Sequence, residues 1–216
     1  NYKNIYLYAG TYDKLSRNKY LYTDKLSRNK LCSIPFTGLQ LGPSNEYNIQ
    51  HNVLNKMDLY DNSVDIYQSE DVFEHIEYDK LDNVINEIYR VLKPGGLFRL
   101  SVPDYRCDLL YNRSEKNENN EIIFDSGGGG NYDYNNKKVI NGGHVWFPKY
   151  ELVKSLLDKT NFDKDKINFL HYYDENNNSV TKIIDYTLGN VGRTPDNDLR
   201  VKNPYRVMSI VVDCYK

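Results

Sequence analysis

The stretch from Asp58 to Asp104 constrains the fold more than any other part of this chain. It contains a strand pattern at Val64–Gln68, an acidic turn, an amphipathic helix, a Lys-Pro-Gly-Gly break and a second strand at Leu97–Val102. The helix is predicted over Lys80–Leu92, because apolar residues recur there at the spacing of one helical face. Those apolar residues are Leu81, Val84, Ile85, Ile88 and Leu92. A strand, a helix and a strand in this order predict a βαβ unit of an α/β sheet.

The rest of the chain extends this pattern to a single domain over residues 1–216. Further strands are predicted at 4–8, 19–23, 37–41, 48–53, 168–173, 179–185 and 206–214, and a second helix at Lys149–Lys159. We therefore expect an α/β fold with an open sheet, mostly parallel, with an antiparallel C-terminal edge strand and helices on both faces. Residues 112–141 are Asn-rich and include four consecutive glycines, which predicts a long flexible loop. The chain starts at Asn1 without Met, which suggests a domain excised from a longer chain.

Composition excludes several classes of partner. A net charge of -2 gives no excess of basic residues for binding a nucleic acid. The sequence contains no run of about 18 apolar residues, so no membrane span is predicted. Three scattered cysteines favour neither a disulfide framework nor a zinc site, so a reducing compartment, the cytoplasm, is expected. The four histidines lack metal-ligand spacing, so no resident metal is predicted.

Two motifs in this region carry a family resemblance. Asp61–Asp65 (DNSVD) precedes one strand, and Glu87–Gly96 (EIYRVLKPGG) precedes the next. The sequence resembles the class I S-adenosylmethionine-dependent methyltransferases of type 11, more loosely over Gly142–Phe162. The resemblance implies a Rossmann-like sheet, S-adenosylmethionine as cofactor and S-adenosylhomocysteine as product. The family's first strand normally ends in Gly-x-Gly-x-Gly, whereas this chain has only Tyr8-Ala9-Gly10-Thr11 there.

The resemblance also implies which residues meet the cofactor. Tyr8 and Gly10 would face its methionine part, and Asp24 would hold the ribose hydroxyls. The adenine edge would be met by His51, Asn52 and Val53. Ligands of open α/β sheets bind at the carboxyl ends of strands, so Ser69 and Glu70 are further cofactor contacts. Acids at this point are equally explained by a helix N-terminus, which favours negative charge.

Catalytic candidates are the groups that could orient an acceptor or take its proton. Asp71 follows the fourth strand, where it would orient the acceptor. Asp104 ends the fifth strand, where it would act as a base or simply cap a turn. His144 follows a Gly-Gly pair, which would bring it to a cleft or anchor it in a packed loop. Histidine titrates near neutral pH, which suits proton transfer.

Acceptor-binding candidates are Tyr105, Arg106, Trp146 and His75. Aromatic faces stack on the apolar faces of sugars, although ordinary core packing explains any single aromatic residue equally well. Arg106, like Arg193, would bind an anionic group or form a solvated ion pair. For His75, a hydrogen-bonded structural role is favoured over catalysis.

These observations favour a methyltransferase that methylates a hydroxyl of a sugar, a glycan or a small molecule. Similar domains occur beside glycosyltransferases, which are therefore the expected fusion or working partners. A non-catalytic binding or scaffold domain is the alternative, because the Gly-rich turn is missing. Methylation of nucleic acid or protein is a weaker third hypothesis. A divalent metal is compatible with oxygen ligands from Glu70, Asp71 and Asp104, but the sequence does not require one.

Overall fold

The computed structural model describes residues 4–10 and 36–216. The predicted strand at 19–23 and Asp24 therefore lie outside the described residues. The strands are β1 (Tyr6–Ala9), β2 (Thr37–Gln40), β3 (Asn48–Gln50), β4 (Val64–Glu70), β5 (Leu92–Pro103), β6 (Glu115–Lys116), β7 (Ile122–Phe124), β8 (Asn131–Asp133), β9 (Lys138–Ile140), β10 (Ile167–Tyr173), β11 (Ser179–Thr181) and β12 (Ser209–Tyr215). Eight of them form one sheet in the order β11-β10-β12-β5-β4-β1-β2-β3.

The predicted open sheet, mostly parallel with an antiparallel edge, is confirmed. From β5 to β3 every neighbouring pair is parallel, which brings the carboxyl ends of β1 to β4 to one edge. Strands β12, β10 and β11 pair antiparallel. The C-terminal strand lies inside this antiparallel part, between β5 and β10, and β11 is outermost. The β10–β11 hairpin closes at a turn where the Asp174 carboxylate accepts hydrogen bonds from the backbone N–H groups of Asn176 and Asn178.

Two amphipathic helices cover one face of the sheet. The α-helices in the described residues are α1 (Leu81–Val91), α2 (Asp108–Arg113) and α3 (Tyr150–Leu157). Short 3₁₀ helices lie at Phe73–His75, Tyr78–Lys80, Ser126–Gly128, Lys164–Lys166, Tyr186–Leu188 and Leu199–Val201. The apolar stripe of α1 is buried as predicted, and it packs with α3 against the sheet. Leu152 of α3 lies outside the packed face and is 39% exposed. None of the described helices is long and apolar enough to cross a membrane.

The opposite face of the sheet carries a polar row. Gln68, Arg99 and Asp213 lie side by side on β4, β5 and β12 and are all buried. Residues 184–193 cover this row, since Gln68 donates to the Asn190 carbonyl and Arg99 to the Gly189 carbonyl. Buried polar groups need such partners, so the row fixes this otherwise irregular segment across the sheet.

The segment 112–141 contains more regular structure than its composition predicts. Strands β6 and β7 form one antiparallel hairpin, and β8 and β9 form another. The second hairpin turns at Asp133, whose carboxylate accepts hydrogen bonds from the backbone of Asn135 and Asn136. Polar turn chemistry of this kind, rather than an apolar alternation, defines these short strands.

Candidate functional site

Two adjoining cavities lie at the carboxyl ends of β1 to β4. The larger has a volume of about 680 Å³. It is lined by Gly10, Leu39, Gln40, Leu41, Gly42, His51, Asn52, Val53, Leu54, Asp71, Val72, His75, Ile76 and Gly142. The smaller has a volume of about 360 Å³ and is lined by Tyr8, Gly10, Glu70, Asp71, Val72, Gly192 and Arg193. Gly10, Asp71 and Val72 line both, so the two cavities meet at the ends of β1 and β4.

Most of the residues predicted to contact the cofactor line these cavities. His51, Asn52 and Val53 line the larger one, Tyr8 and Glu70 the smaller, and Gly10 both. Ser69 lines neither cavity; it is fully buried on β4, with no hydrogen bond to its hydroxyl. Sequence reasoning missed Gln40, which ends β2, the strand next to β1. The order of strands along the chain could not identify Gln40, because the second predicted strand is 19–23, whereas Gln40 ends the strand Thr37–Gln40.

Backbone conformation is special where the two cavities meet. Gly10 has φ +115, which L residues with a side chain rarely adopt. Asp71 has φ +57, in the left-handed region where Asp and Asn are tolerated better than most residues. Unfavourable backbone conformations of this kind concentrate at functional sites.

Charged groups of both signs surround the smaller cavity. The Arg193 guanidinium pairs with the Asp71 carboxylate, and the Gly192 N–H donates to Glu70 at 2.6 Å. Burial, followed by repulsion from Asp71, raises the pKa of Glu70 to about 7. The sequence had marked Arg193 only as a candidate for an anionic group, and the fold brings it to this cavity from residues far along the chain.

Glu74, His75 and His144 form a cluster beside the larger cavity. One ligand-type atom from each lies within 4.8 Å of the others. Glu74 is fully buried, and neither of its carboxylate oxygens has a hydrogen-bond partner. Burial, followed by repulsion from Asp71, raises its pKa to about 8. Burial, followed by repulsion from His75, lowers the pKa of His144 to about 4, so its imidazole is neutral at physiological pH.

A chain of hydrogen bonds fixes the His144 imidazole through its Nδ1 atom. Arg113 donates to Asp125, the Tyr105 hydroxyl donates to Asp125 at 2.7 Å, and Tyr105 lies 2.5 Å from His144 Nδ1. Because the Tyr105 proton is directed to Asp125, Nδ1–H of His144 is the donor to the Tyr105 oxygen. Gly128 packs so closely on the imidazole that an added Cβ would lie 2.6 Å from the ring. The glycine run at residues 127–130 and the Tyr105 hydroxyl thus both hold the His144 imidazole in place.

The remaining predicted residues lie outside both cavities. Asp104 is fully buried, and its carboxylate accepts hydrogen bonds from the backbone N–H groups of Arg106 and Tyr173. Trp146 packs in the main core and donates from Nε1 to the Phe73 carbonyl. Arg106 forms a bidentate ion pair with Glu151. These contacts favour structural roles for Asp104, Trp146 and Arg106. Asp104, Glu70 and Asp71 were compatible with a metal by sequence, but they do not form a metal-ligand cluster in the part of the chain that the structure describes.

Comparisons with known proteins agree with the arrangement of the sheet. Residues 33–100 match a family model described as a methyltransferase domain. The fold is similar to an S-adenosylmethionine-dependent methyltransferase from Mesorhizobium loti, at 10% identity, with 100% of this chain and 92% of that chain covered and a TM-score of 0.52. The chain thus shares the fold of S-adenosylmethionine-dependent methyltransferases. A methyltransferase of this kind from Archaeoglobus fulgidus is similar at 12% identity, with 100% and 87% covered and a TM-score of 0.51. A search of curated proteins finds no match.

The two cavities fit the cofactor that the family resemblance implies. Apolar walls from Leu39, Val53 and Ile76 suit an adenine ring, and the larger volume lies in the range of small-molecule sites. In the smaller cavity, Arg193 offers a cation for the methionine carboxylate, and Glu70 offers a hydrogen-bond acceptor for its amino group. The sulfonium would then lie where the cavities meet, beside Asp71.

Proposed function

We propose that this protein transfers the methyl group of S-adenosylmethionine to a hydroxyl group of a sugar or glycan. The observation that carries the proposal is the pair of joined cavities at the carboxyl ends of β1 to β4, with Asp71 at their junction. When bound, the cofactor supplies a methyl group on a positively charged sulfur, and the acceptor oxygen displaces that sulfur. The protein has to hold the acceptor in line and receive its proton.

Asp71 is the proposed proton acceptor. It borders both cavities and its side chain is 36% exposed, so a hydroxyl can reach it. Its ion pair with Arg193 fixes the carboxylate, and the left-handed backbone sets its direction. Among the three catalytic candidates from the sequence, Asp104 lies outside both cavities and His144 is held behind His75. Asp71 therefore has the best position for direct contact with an acceptor.

The surroundings of the larger cavity support a sugar acceptor. Gly142, which follows the β8–β9 hairpin, lines the cavity, so the hairpin adjoins it. Tyr132 and Tyr134 of that hairpin contact each other with ring centroids 4.9 Å apart, and Tyr134 is 66% exposed. An exposed tyrosine offers an apolar face for a sugar ring and a hydroxyl for its polar rim.

Cofactor binding is tested by filling the larger cavity. Val53→Trp places a bulky ring in the proposed adenine site, and Ile49→Trp makes the same kind of change at a residue 52% exposed on β3 and outside the cavity. Calorimetric titration with S-adenosylhomocysteine should show binding to the unchanged protein and to Ile49→Trp, and at least about tenfold weaker binding to Val53→Trp. Absence of binding to the unchanged protein would overturn the proposal.

Methyl transfer is tested with labelled S-adenosylmethionine and a panel of sugars, nucleotide sugars, catechols and amines. We expect label in an alkali-stable methyl ether of a sugar. Asp71→Asn keeps a residue that tolerates the left-handed backbone but removes the base. It should reduce kcat by about 10²- to 10⁴-fold, the usual contribution of a general base. Transfer only to amines would refute the sugar hydroxyl, and an unchanged kcat would refute the role of Asp71.

A binding domain without methyl transfer is the second candidate. It is favoured by one observation: the Arg193–Asp71 ion pair and the Gly192–Glu70 hydrogen bond already occupy groups at the methionine end. This candidate predicts no transfer to any member of the panel. Saturable transfer that Asp71→Asn abolishes would exclude it.

A further inference from the structure

Glu74, His75 and His144 share a property that ordinary core packing does not explain. Both carboxylate oxygens of Glu74 are buried without a hydrogen-bond partner, in a residue that is fully inaccessible to solvent. Leaving a buried polar group unsatisfied costs about 1–3 kcal/mol, and more when the group is charged. Such a group in a native fold calls for a missing partner, and an ion is one of the expected kinds.

The hydrogen bonds of the two histidines determine which nitrogen carries a lone pair. His75 Nδ1 lies 2.9 Å from the Gly142 carbonyl oxygen, which can only accept, so Nδ1 carries the proton. His144 Nδ1 likewise donates to the Tyr105 oxygen, because the Tyr105 proton is directed to Asp125. Nε2 is therefore the nitrogen of each ring that can offer a lone pair. Metal-binding histidines typically have this arrangement, with the other ring N–H donating to a carbonyl or another fixed acceptor.

We propose that Glu74, His75 and His144 together bind one divalent first-row transition-metal ion. The ligand atoms are Nε2 of each histidine and the Glu74 carboxylate. Two imidazoles and one carboxylate suit Zn²⁺, Fe²⁺ or Mn²⁺, whereas Mg²⁺ and Ca²⁺ take oxygen ligands almost alone. Three protein ligands leave at least one position open for water or another ligand.

Local charge favours a cation at this position. Three carboxyl groups, from Glu70, Asp71 and Glu74, share this part of the site with a single guanidinium from Arg193. Arg193 Nη2 is 3.8 Å from Glu74 Oε1, too long for a hydrogen bond, and it pairs with Asp71 instead. A bound dication would stabilise these carboxyl groups in their ionised form.

The geometry requires a small closure on binding. Ligand atoms at about 2.0–2.2 Å from a common ion are at most about 4.4 Å apart, and the three side chains have ligand-type atoms within 4.8 Å of one another, so the closure needed is small. Nε2 of His144 is already 3.7 Å from Glu74 Oε1. Glu74 and His144 are fixed by burial, whereas His75 is exposed and is the last residue of the short 3₁₀ helix Phe73–His75. His75 is therefore the ligand that moves.

The ion would lie beside the larger cavity, because His75 is one of its lining residues. Its open position would then bind the oxygen of the acceptor, a role that rests on the proposed methyl transfer. Metal binding itself does not depend on that function.

The test uses protein freed of metal with EDTA and titrated with Zn²⁺ or Co²⁺ without cofactor or acceptor. We expect one equivalent to bind saturably, with visible Co²⁺ absorption typical of nitrogen and oxygen ligands, and no displacement by an equal concentration of Mg²⁺. Absence of saturable Zn²⁺ and Co²⁺ binding would overturn the site, and displacement by equal Mg²⁺ would overturn the choice of metal class.

Variants then locate the ion. His75→Ala and Glu74→Gln should weaken Co²⁺ binding at least about tenfold, since even partners behind the ligands contribute about 10- to 100-fold. His51→Ala removes another histidine that borders the same cavity and should leave metal affinity unchanged. His75 is exposed, so its variant remains informative if Glu74→Gln fails to fold. Equal loss in His51→Ala, or no loss in His75→Ala, would refute the assignment.

The proposal of a metal site and the proposal of methyl transfer can be refuted independently. S-adenosylhomocysteine binding to the metal-free protein, with no metal bound in the titration, would refute only the metal site. Metal bound by the trio, with no cofactor binding, would refute only the methyltransferase activity.

Discussion

Removal of the buried Arg99 should destabilise the protein more than loss of any surface ion pair. Arg99 is fully buried and donates two hydrogen bonds of 2.7 Å to the Asp213 carboxylate. It also donates to the carbonyls of Asp185 at 2.9 Å and Gly189 at 2.6 Å. Arg99→Met keeps most of the side-chain volume but leaves Asp213 charged and buried without this partner.

The size of the effect follows from these contacts. Breaking a buried ion pair by removing one partner costs about 3–5 kcal/mol. For a protein of about 150–250 residues, each kcal/mol lowers Tm by about 2–4 °C, so a fall of about 6–20 °C is expected. The double variant Arg99→Met with Asp213→Val should be no less stable than Arg99→Met alone, because it also removes the unpaired charge.

Urea denaturation measures the loss of unfolding free energy and thermal denaturation measures the fall in Tm, both followed by circular dichroism. The matched control is Arg106→Met, because Arg106 makes the same bidentate contact with Glu151, but the side chains are 14% and 37% exposed. Exposed pairs contribute less than about 1 kcal/mol. The reasoning is wrong if Arg99→Met lowers the free energy of unfolding no more than Arg106→Met does. It is also wrong if the losses of Arg99→Met and Asp213→Val, each measured as a single variant, add in the double variant.

Three further changes test individual groups. Burial raises the pKa of Asp104 to about 6 from its usual 3.8, so the folded state binds this proton more tightly than the unfolded state. The free energy of unfolding therefore falls, by about 3 kcal/mol at most, as pH rises from about 4 to 6. Asp104→Asn should flatten the measured free energy of unfolding over that pH range, and a curve parallel to that of the unchanged protein would contradict this. Tyr105→Phe removes the acceptor of His144 Nδ1–H and should weaken Co²⁺ binding about 10- to 100-fold; equal affinities would show that the hydrogen bond does not orient the ligand. Gly10→Ala, at φ +115, should cost about 1–3 kcal/mol in thermal denaturation and weaken S-adenosylhomocysteine binding; unchanged values of both would show that the turn is not constrained.

Much of the architecture could be predicted, because the signals were local. The spacing of Leu81, Val84, Ile85 and Ile88 predicted α1, whose inward face is set by helical geometry alone. The order of strands and helices predicted a mostly parallel sheet, since parallel neighbours need a long crossover. The β6–β7 and β8–β9 hairpins were missed because they are held by Asx turns in polar sequence and bury few side chains.

The candidate site was predicted only in part. The carboxyl ends of strands identified Gly10, Glu70 and Asp71, because their position follows from the fold class. Asp104 also follows the carboxyl end of a strand, yet its carboxylate accepts a hydrogen bond from the backbone N–H of Tyr173 on β10. In the sheet, β12 lies between β5 and β10. A contact between strands so far apart in the chain leaves no local pattern.

Local sequence patterns predicted the sheet, its main helix and the edge at which the proposed cofactor binds, because periodicity and strand order are properties of neighbouring residues. Only the tertiary structure brought Arg193 to Asp71, and His144 to Glu74 and His75. These partners are distant in the chain, and their meeting depends on how the segment after β11 crosses the polar row and how the glycine run packs on His144. The lone pairs and charges that distinguish this site arise from those contacts, which no spacing of residues encodes.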